Sequence, residues 1–278
     1  MRRLFGTRLR RRSHHAHAVV TGAGSGIGRA FAVELARRGG HVVCADIDED
    51  STKETVRLVE SHGGRALAVH CDVSIERQVW DLSETAEGWL GRPPDLVVNN
   101  AGIGAGGQVV GETPLPDWRR VLAVNTWGVV HGCHVFVPWL RFAGDGGLIN
   151  VASAAGFAAA PRMGAYNVSK AAVLAVSETV AAELSGSGVA VTVLCPTFVS
   201  TNIIGSELID STVARTAERL MRLTGASPEH IARRTLDAHD RGRLYVVPRL
   251  DAQLIWRAKR MLPAAYTRAA GLLGRLPA

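Results

Sequence analysis

Tyr166 and Lys170 are separated by Asn-Val-Ser. In a helix that spacing puts both side chains on one face, a turn apart. A lysine cation beside a phenol favours the phenolate and lowers its pKa. Such a phenol can exchange a proton with an alcohol or a carbonyl near neutral pH. Ser153 stands thirteen residues earlier. A Tyr-xxx-Lys pair alone is common, and its plain alternative is a surface helix with a snorkelling lysine.

A second group of residues suits binding. Thr21-Gly22-Ala23-Gly24-Ser25-Gly26-Ile27-Gly28 follows an apolar run and precedes a helical stretch. Glycines there allow a tight turn and let amides approach a pyrophosphate at the helix N-terminus. Asp46 lies eighteen residues past Gly28. A carboxylate at that point can accept hydrogen bonds from both adenosine ribose hydroxyls and repels a 2′-phosphate. Neither Ser25 nor Ile47 is a base able to hold such a phosphate, so NAD is favoured over NADP. Asp46 could instead cap the next helix, a task open to Asp48 or Asp50. Asp72-Val73 and Asn99-Asn100-Ala101-Gly102 close two further apolar runs, and the former could reach the adenine edge.

These groups must be positioned by a regular scaffold. Short Val-rich runs at 18–21, 41–45, 66–71, 96–99, 148–151, 189–195 and 244–247 read as strands buried on both faces. Stretches with helical spacing lie between them, among them 27–38, 51–61, 75–90 and 165–184. Such alternation predicts an α/β fold: a Rossmann-type, doubly wound parallel sheet of about seven strands with helices on both faces. The functional residues then fall at the carboxyl edge of the sheet, where such folds bind ligands.

The chain has 278 residues with net charge +7, 47% hydrophobic and 21% charged. That composition excludes a disordered chain. Six arginines and no acid in residues 1–12 carry +6, and residues 241–278 carry +7, leaving −6 on residues 13–240. An acidic body with basic ends argues against a nucleic-acid groove. No apolar run reaches the ~20 residues of a spanning helix. The basic start lacks the apolar stretch of a secretory signal, so a cytoplasmic protein is expected. Cys44, Cys71, Cys133 and Cys195 are far apart and read as reduced, buried thiols. The ten histidines show no metal-ligand spacing, and His14, His15 and His17 are expected to be loose in a basic tail over 1–15.

Residues 249–278 form an extension with Leu250, Leu254, Ile255, Ala258, Met261 and Leu262 at helical spacing, basic residues among them, and a break at Pro263. It could pack on its own protein, dock on a neighbouring subunit or lie on a membrane, the first being favoured.

The motifs at 21–28 and 99–102, Asn125, Ser153, the Tyr166–Lys170 pair and Pro196 occur in one order. Together they closely resemble the short-chain dehydrogenase/reductase family over roughly residues 16–248. The resemblance implies Tyr166 as general acid/base, Lys170 on the nicotinamide ribose, Ser153 on the substrate oxygen and Asn125 as a structural and water-relay residue. It implies a phosphate turn of Thr21, Gly22, Gly26, Ile27 and Gly28. It also implies adenosine contacts from Asn99, Ala101 and Gly102, and a nicotinamide carboxamide grip by Pro196, Val199 and Thr201. A homodimer or homotetramer, built through the helices of Asn125 and Tyr166, follows by the same resemblance. One departure is Thr197 where the family usually has glycine. Its branched Cβ disfavours φ > 0, and it is expected to narrow the nicotinamide side or add a hydroxyl there.

In this family the segment after the sixth strand commonly covers the substrate. Here 202–227 is rich in apolar residues, and Phe157, Met163 and Phe198 stand near the reaction centre in sequence. A lipophilic secondary alcohol or ketone is therefore expected. Arg162 could meet a carboxylate or lie on the surface. The leading expectation is an NAD-dependent oxidoreductase (NADP less favoured) acting on such an alcohol or ketone. A non-catalytic dinucleotide sensor or scaffold and a peripheral membrane-associated form are the competing readings.

Overall fold

The computed structural model describes residues 11–197, 199, 207–210 and 225–273. Seven parallel strands form one sheet in the order β3-β2-β1-β4-β5-β6-β7. They are β1 His17–Thr21, β2 His41–Asp46, β3 Arg65–His70, β4 Leu96–Asn99, β5 Gly146–Val151, β6 Val189–Leu194 and β7 Tyr245–Val246. Val19 pairs with both Val43 and Val97 at the centre of the sheet. The central strands are mostly apolar because helices cover both faces.

On one face lie α1 (Gly26–Arg37), α2 (Glu49–Ser61) and α8 (Pro228–Asp240), packed through Phe31, Leu35, Val59, Ile231 and Leu236. On the other lie α3 (Glu76–Leu90), α5 (Gly128–Ala143) and α7 (Gly164–Glu183), packed through Leu82, Phe136, Leu140, Val173 and Leu184. Helix α4 (Leu115–Leu122) leads into α5 through a π turn at Ala123–Trp127. The combined run, Leu115–Ala143, is long and apolar enough to cross a membrane by length and composition. Its buried Val121, Asn125, Cys133 and Phe136 make it a core helix here. The four cysteines are free and buried.

The chain turns outward in both directions from the boundary between β1 and β4. That reversal of connection is the point at which sheets of this kind bind ligands.

The expected tail is shorter than residues 1–15. Ser13 is fully buried, and its amide and hydroxyl donate to the Asp240 carboxylate at 2.9 and 2.7 Å. Arg38 lies between Glu34, Asp237 and Asp240 in the same cluster. His17 is not loose: it opens β1, its amide donating to Asp95 Oδ1 at 2.9 Å. The partly buried Asp240 and Asp95 carboxylates need donors, and this segment supplies them.

The extension packs on its own chain. It forms α9 (Leu250–Met261) and α10 (Pro263–Leu273), against the short helix α6 (Ala155–Ala158). Trp256 stacks on Phe157 with centroids 5.6 Å apart, and the Tyr266 hydroxyl donates to the Ala158 carbonyl at 2.8 Å. Phe157, expected near the reaction centre, is thereby turned into this packing. Of the expected lid, Glu207–Asp210 and residues 225–227 are described. Leu208 and Ile209 are held on the loop after β4 through Gly106. Phe198, Thr201 and the other apolar lid positions lie outside the described residues.

Candidate active site

A cleft of about 850 Å³ opens at the carboxyl ends of the strands. Its first wall is the glycine turn after β1. Gly22 and Gly26 adopt φ of +64° and +53°, a region open to glycine at little cost. A Cβ on Gly22 would lie 2.7 Å from Ala101 Cα, so the turn sits directly on the loop after β4. Gly22, Ser25, Gly26 and Ile27 line the cleft. The first amides of α1 have no intrahelical acceptor, and the helix dipole favours an anion there.

Asp46 is fixed at the end of β2. Its Oδ2 accepts from the Gly24 amide at 2.8 Å and its Oδ1 from the Asp48 amide at 3.1 Å. Asp48 is the cap of α2, accepting from the Ser51 amide at 3.0 Å. That leaves the Asp46 carboxylate facing the cleft, beside Ile47. Asp72 and Val73 line the same end, and Asp72 is steadied by the amide and hydroxyl of Ser74 at 2.9 and 2.7 Å.

The opposite end carries Ser153 after β5 and Tyr166 and Lys170 on α7, all three lining the cleft with Ala101, Gly102, Pro196, Thr197 and Val199. Lys170 is 2% exposed, and its Nζ donates to the Val151 carbonyl at 3.0 Å. Burial pushes its pKa down to about 8. The Lys170 ammonium lies 5.9 Å from the Tyr166 ring centroid. The expected lowering of the Tyr166 pKa is not found. Burial raises it, and the Ser153 hydroxyl is what draws it back. The reason is that the phenol is largely buried while the ammonium is bonded to a backbone carbonyl.

Among the described residues, four expected to bind or react do not line the cleft. Thr21 and Gly28 brace the turn. Thr21 Oγ1 accepts from the amides of Asn100 and Ala101 at 3.0 and 3.2 Å, and a Cβ on Gly28 would collide with the Gly22 carbonyl. Asn99 is buried beneath α5 and donates to Asn150 Oδ1 at 2.9 Å. Side chains alternate along a strand, so Asn99 faces inward. Asn100 instead lines the cleft and donates to the Thr21 and Gly22 carbonyls at 2.9 and 3.0 Å. Asn125, in the π turn, is fully buried. Its Oδ1 accepts from the Ile103 amide at 2.8 Å, and its Nδ2 donates to the Ile103 carbonyl and to Ser169 Oγ at 2.9 and 3.1 Å. Ser169 in turn donates to the Tyr166 carbonyl at 2.8 Å. Asn125 therefore ties the loop after β4 to the Tyr166 helix.

Sequence reasoning missed Asn100 as a bracing residue, and missed Arg120 and Glu207, which line the cleft and approach to 3.9 Å. No motif marks either, since tertiary folding brings them together. Arg162 lies on a separate cavity of about 190 Å³ and donates to the Gly107 carbonyl at 3.2 Å. Among the described residues no cluster of His, Cys, Asp or Glu could hold a metal.

Three observations fit an extended dinucleotide. The glycine turn lines the cleft at the start of α1, Asp46 offers a pre-set carboxylate, and the buried Thr197 hydroxyl has no hydrogen-bond partner among the described residues. Thr197 also keeps φ below zero. The fold and this cleft are those of a Rossmann-type α/β domain with its cleft at the carboxyl edge of the sheet. The chain belongs to the short chain dehydrogenase family, which it matches over residues 16–210. A relative from Mycobacterium tuberculosis named "Probable oxidoreductase EphD" is 36% identical over 264 residues, 91% of this chain. This chain spans only 44% of that relative's length. The 1-deoxy-11-beta-hydroxypentalenate dehydrogenase of Streptomyces exfoliatus is 41% identical over 189 residues, 67% of this chain and 68% of the relative. Among solved structures, a short chain dehydrogenase/reductase from Burkholderia phymatum in complex with NAD aligns with TM-score 0.84 and 34% identity. That alignment covers 90% of this chain and 94% of the other.

Burying the Lys170 charge costs stability below its folded pKa of about 8, and the cost fades as pH rises toward 10.5, where the unfolded lysine also loses its proton. Lys170→Met should therefore unfold at higher denaturant near neutral pH, by about 2 kcal/mol after loss of the Val151 contact. The gain over wild type should shrink above pH 8. A pH-independent difference in urea melts would contradict this account.

Proposed function

We propose that this protein is an NAD-dependent dehydrogenase that interconverts a secondary alcohol and its ketone. The observation that carries the reading is one continuous cleft with the glycine turn and Asp46 at one end and Ser153, Tyr166 and Lys170 at the other. The bound nicotinamide supplies or accepts the hydride. The α1 amides bind the pyrophosphate, and Asp46 accepts from the adenosine ribose hydroxyls. Lys170 Nζ, which donates to the Val151 carbonyl and keeps further protons to give, donates to the nicotinamide ribose. The Ser153 hydroxyl orients the substrate oxygen, and Tyr166 Oη takes the alcohol proton or returns it to the ketone. Ile103, Val124 and Val151 give the cleft apolar surface, which supports a lipophilic substrate. The reacting end lies beside Pro196 and Thr197, so the unpaired Thr197 hydroxyl is assigned to the nicotinamide carboxamide.

Calorimetry tests the cofactor assignment: NAD should bind about 100-fold more tightly than NADP, and Asp46→Asn should remove most of that preference. Tighter binding of NADP by the wild type would sink it. Thr197→Val should weaken NAD about tenfold through loss of one hydrogen bond, while ADP-ribose, which lacks the nicotinamide, should bind as before. Equal affinities of both proteins for NAD would remove Thr197 from the site. Tyr166→Phe should retain NAD binding yet lose about 10²- to 10⁴-fold in turnover of secondary alcohols. Undiminished turnover would exclude Tyr166 as the proton-transfer group.

A further inference from the structure

The C-terminal helices carry more apolar surface than their docking covers. Helix α9 buries Ala252 and sets Trp256 against Phe157 and Tyr245. On its opposite side Leu250, Leu254 and Met261 fall within about 40° of one another at 100° per residue. They are 76%, 64% and 78% exposed. Leu262, between the two helices, and Leu272 on α10 are also exposed, at 64% and 63%. Scattered exposed leucines are ordinary, but this helix is apolar on two sides and only one is covered. Arg257, Arg260 and Arg268 are exposed on the same pair of helices, and their single acid, Asp251, is paired with Arg249 at 2.8 Å. The split between a +7 C-terminal segment and a −6 body adds a direction to the molecule.

We propose that this face docks on an anionic lipid membrane. The leucines and Met261 enter the headgroup boundary, while the long arginine side chains reach the lipid phosphates. The charge split orients the molecule, since an anionic surface attracts the basic helices and repels the acidic body. A second copy fits less well. The row is one residue wide and bordered by arginines, without the broad charge-poor centre of a subunit interface. Through Tyr266 and Trp256 the docked helices hold α6, the segment that follows Ser153. A membrane-dissolved compound would thus meet the protein beside the reacting end of the cleft. The docking itself does not depend on the cofactor assignment, whereas the position of the reacting end rests on the proposed function.

Cosedimentation of the full chain tests the proposal, with vesicles of phosphatidylcholine alone or of equal parts phosphatidylcholine and phosphatidylglycerol. The protein should pellet with the anionic vesicles only. Arg257→Gln combined with Arg260→Gln should lower partitioning about thirtyfold. Leu254→Glu combined with Met261→Glu should abolish it, with melting temperature and NAD affinity unchanged. Wild-type protein left in the supernatant with anionic vesicles would overturn the proposal, as would undiminished binding by the glutamate variant. A smaller solution mass of that variant by light scattering would assign the face to a second copy instead, and overturn it as well.

Discussion

The end of the cleft lined by Ser153, Tyr166 and Lys170 depends on one buried charge. Lys170 is buried on α7, and among the described residues no carboxylate accompanies it; a single backbone carbonyl receives its ammonium. A lone buried ammonium is tolerated only when surrounding packing leaves it nowhere else to go. That packing is extensive. Helix α7 is held through Ser169 and Asn125 to the loop after β4, and through Ser177 and Asn150 to β5. The strand ends and the helix thus form one rigid frame around the charge. Such stored cost is common where chemistry is prepared in advance.

The other end of the cleft is organised differently. There the chain supplies no buried charge, but a turn with its amides exposed and a carboxylate held by two of its neighbours' amides. The link between the two ends is the pair Thr21 and Asn100. Their hydrogen bonds close the seam where the strand order reverses, fixing the glycine turn relative to β4 and hence to Ser153, Tyr166 and Lys170. Loosening that seam would move two half-sites apart without touching a ligand.

Much of this was legible in the sequence, for physical reasons. Strands buried on both faces appear as unbroken Val-rich runs, so all seven were readable with end shifts of one or two residues. Tyr166, Lys170, Ser153 and Asp46 could be placed because helical spacing and strand ends bring them to one edge. Thr21, Gly28 and Asn99, expected beside the ligand, brace the turn and the strand end, and Asn125, expected as a structural and water-relay residue, ties the loop after β4 to α7. A short motif names residues that must be there, but not whether they touch the ligand or hold those that do. Only the strand alternation at Asn99 and the close packing at Gly28 separate the two roles. The upward shift of the Tyr166 pKa was beyond reach for a related cause: spacing tells which groups are neighbours, not how dry their surroundings are. Arg120 and Glu207 meet from distant parts of the chain, and nothing local announces either.

The packed N-terminal segment has a practical meaning. Arg12 and Ser13 are fastened to Gly188 and Asp240, at the amino edge of the sheet, while the cleft opens at the carboxyl edge. The C-terminal helices press on the segment beside Ser153. The two ends of the described chain are therefore unequal as handles. A reporter or surface tether joined ahead of Arg12 would leave the cleft facing outward, whereas one joined after α10 would pull on the element that supports the reacting hydroxyl.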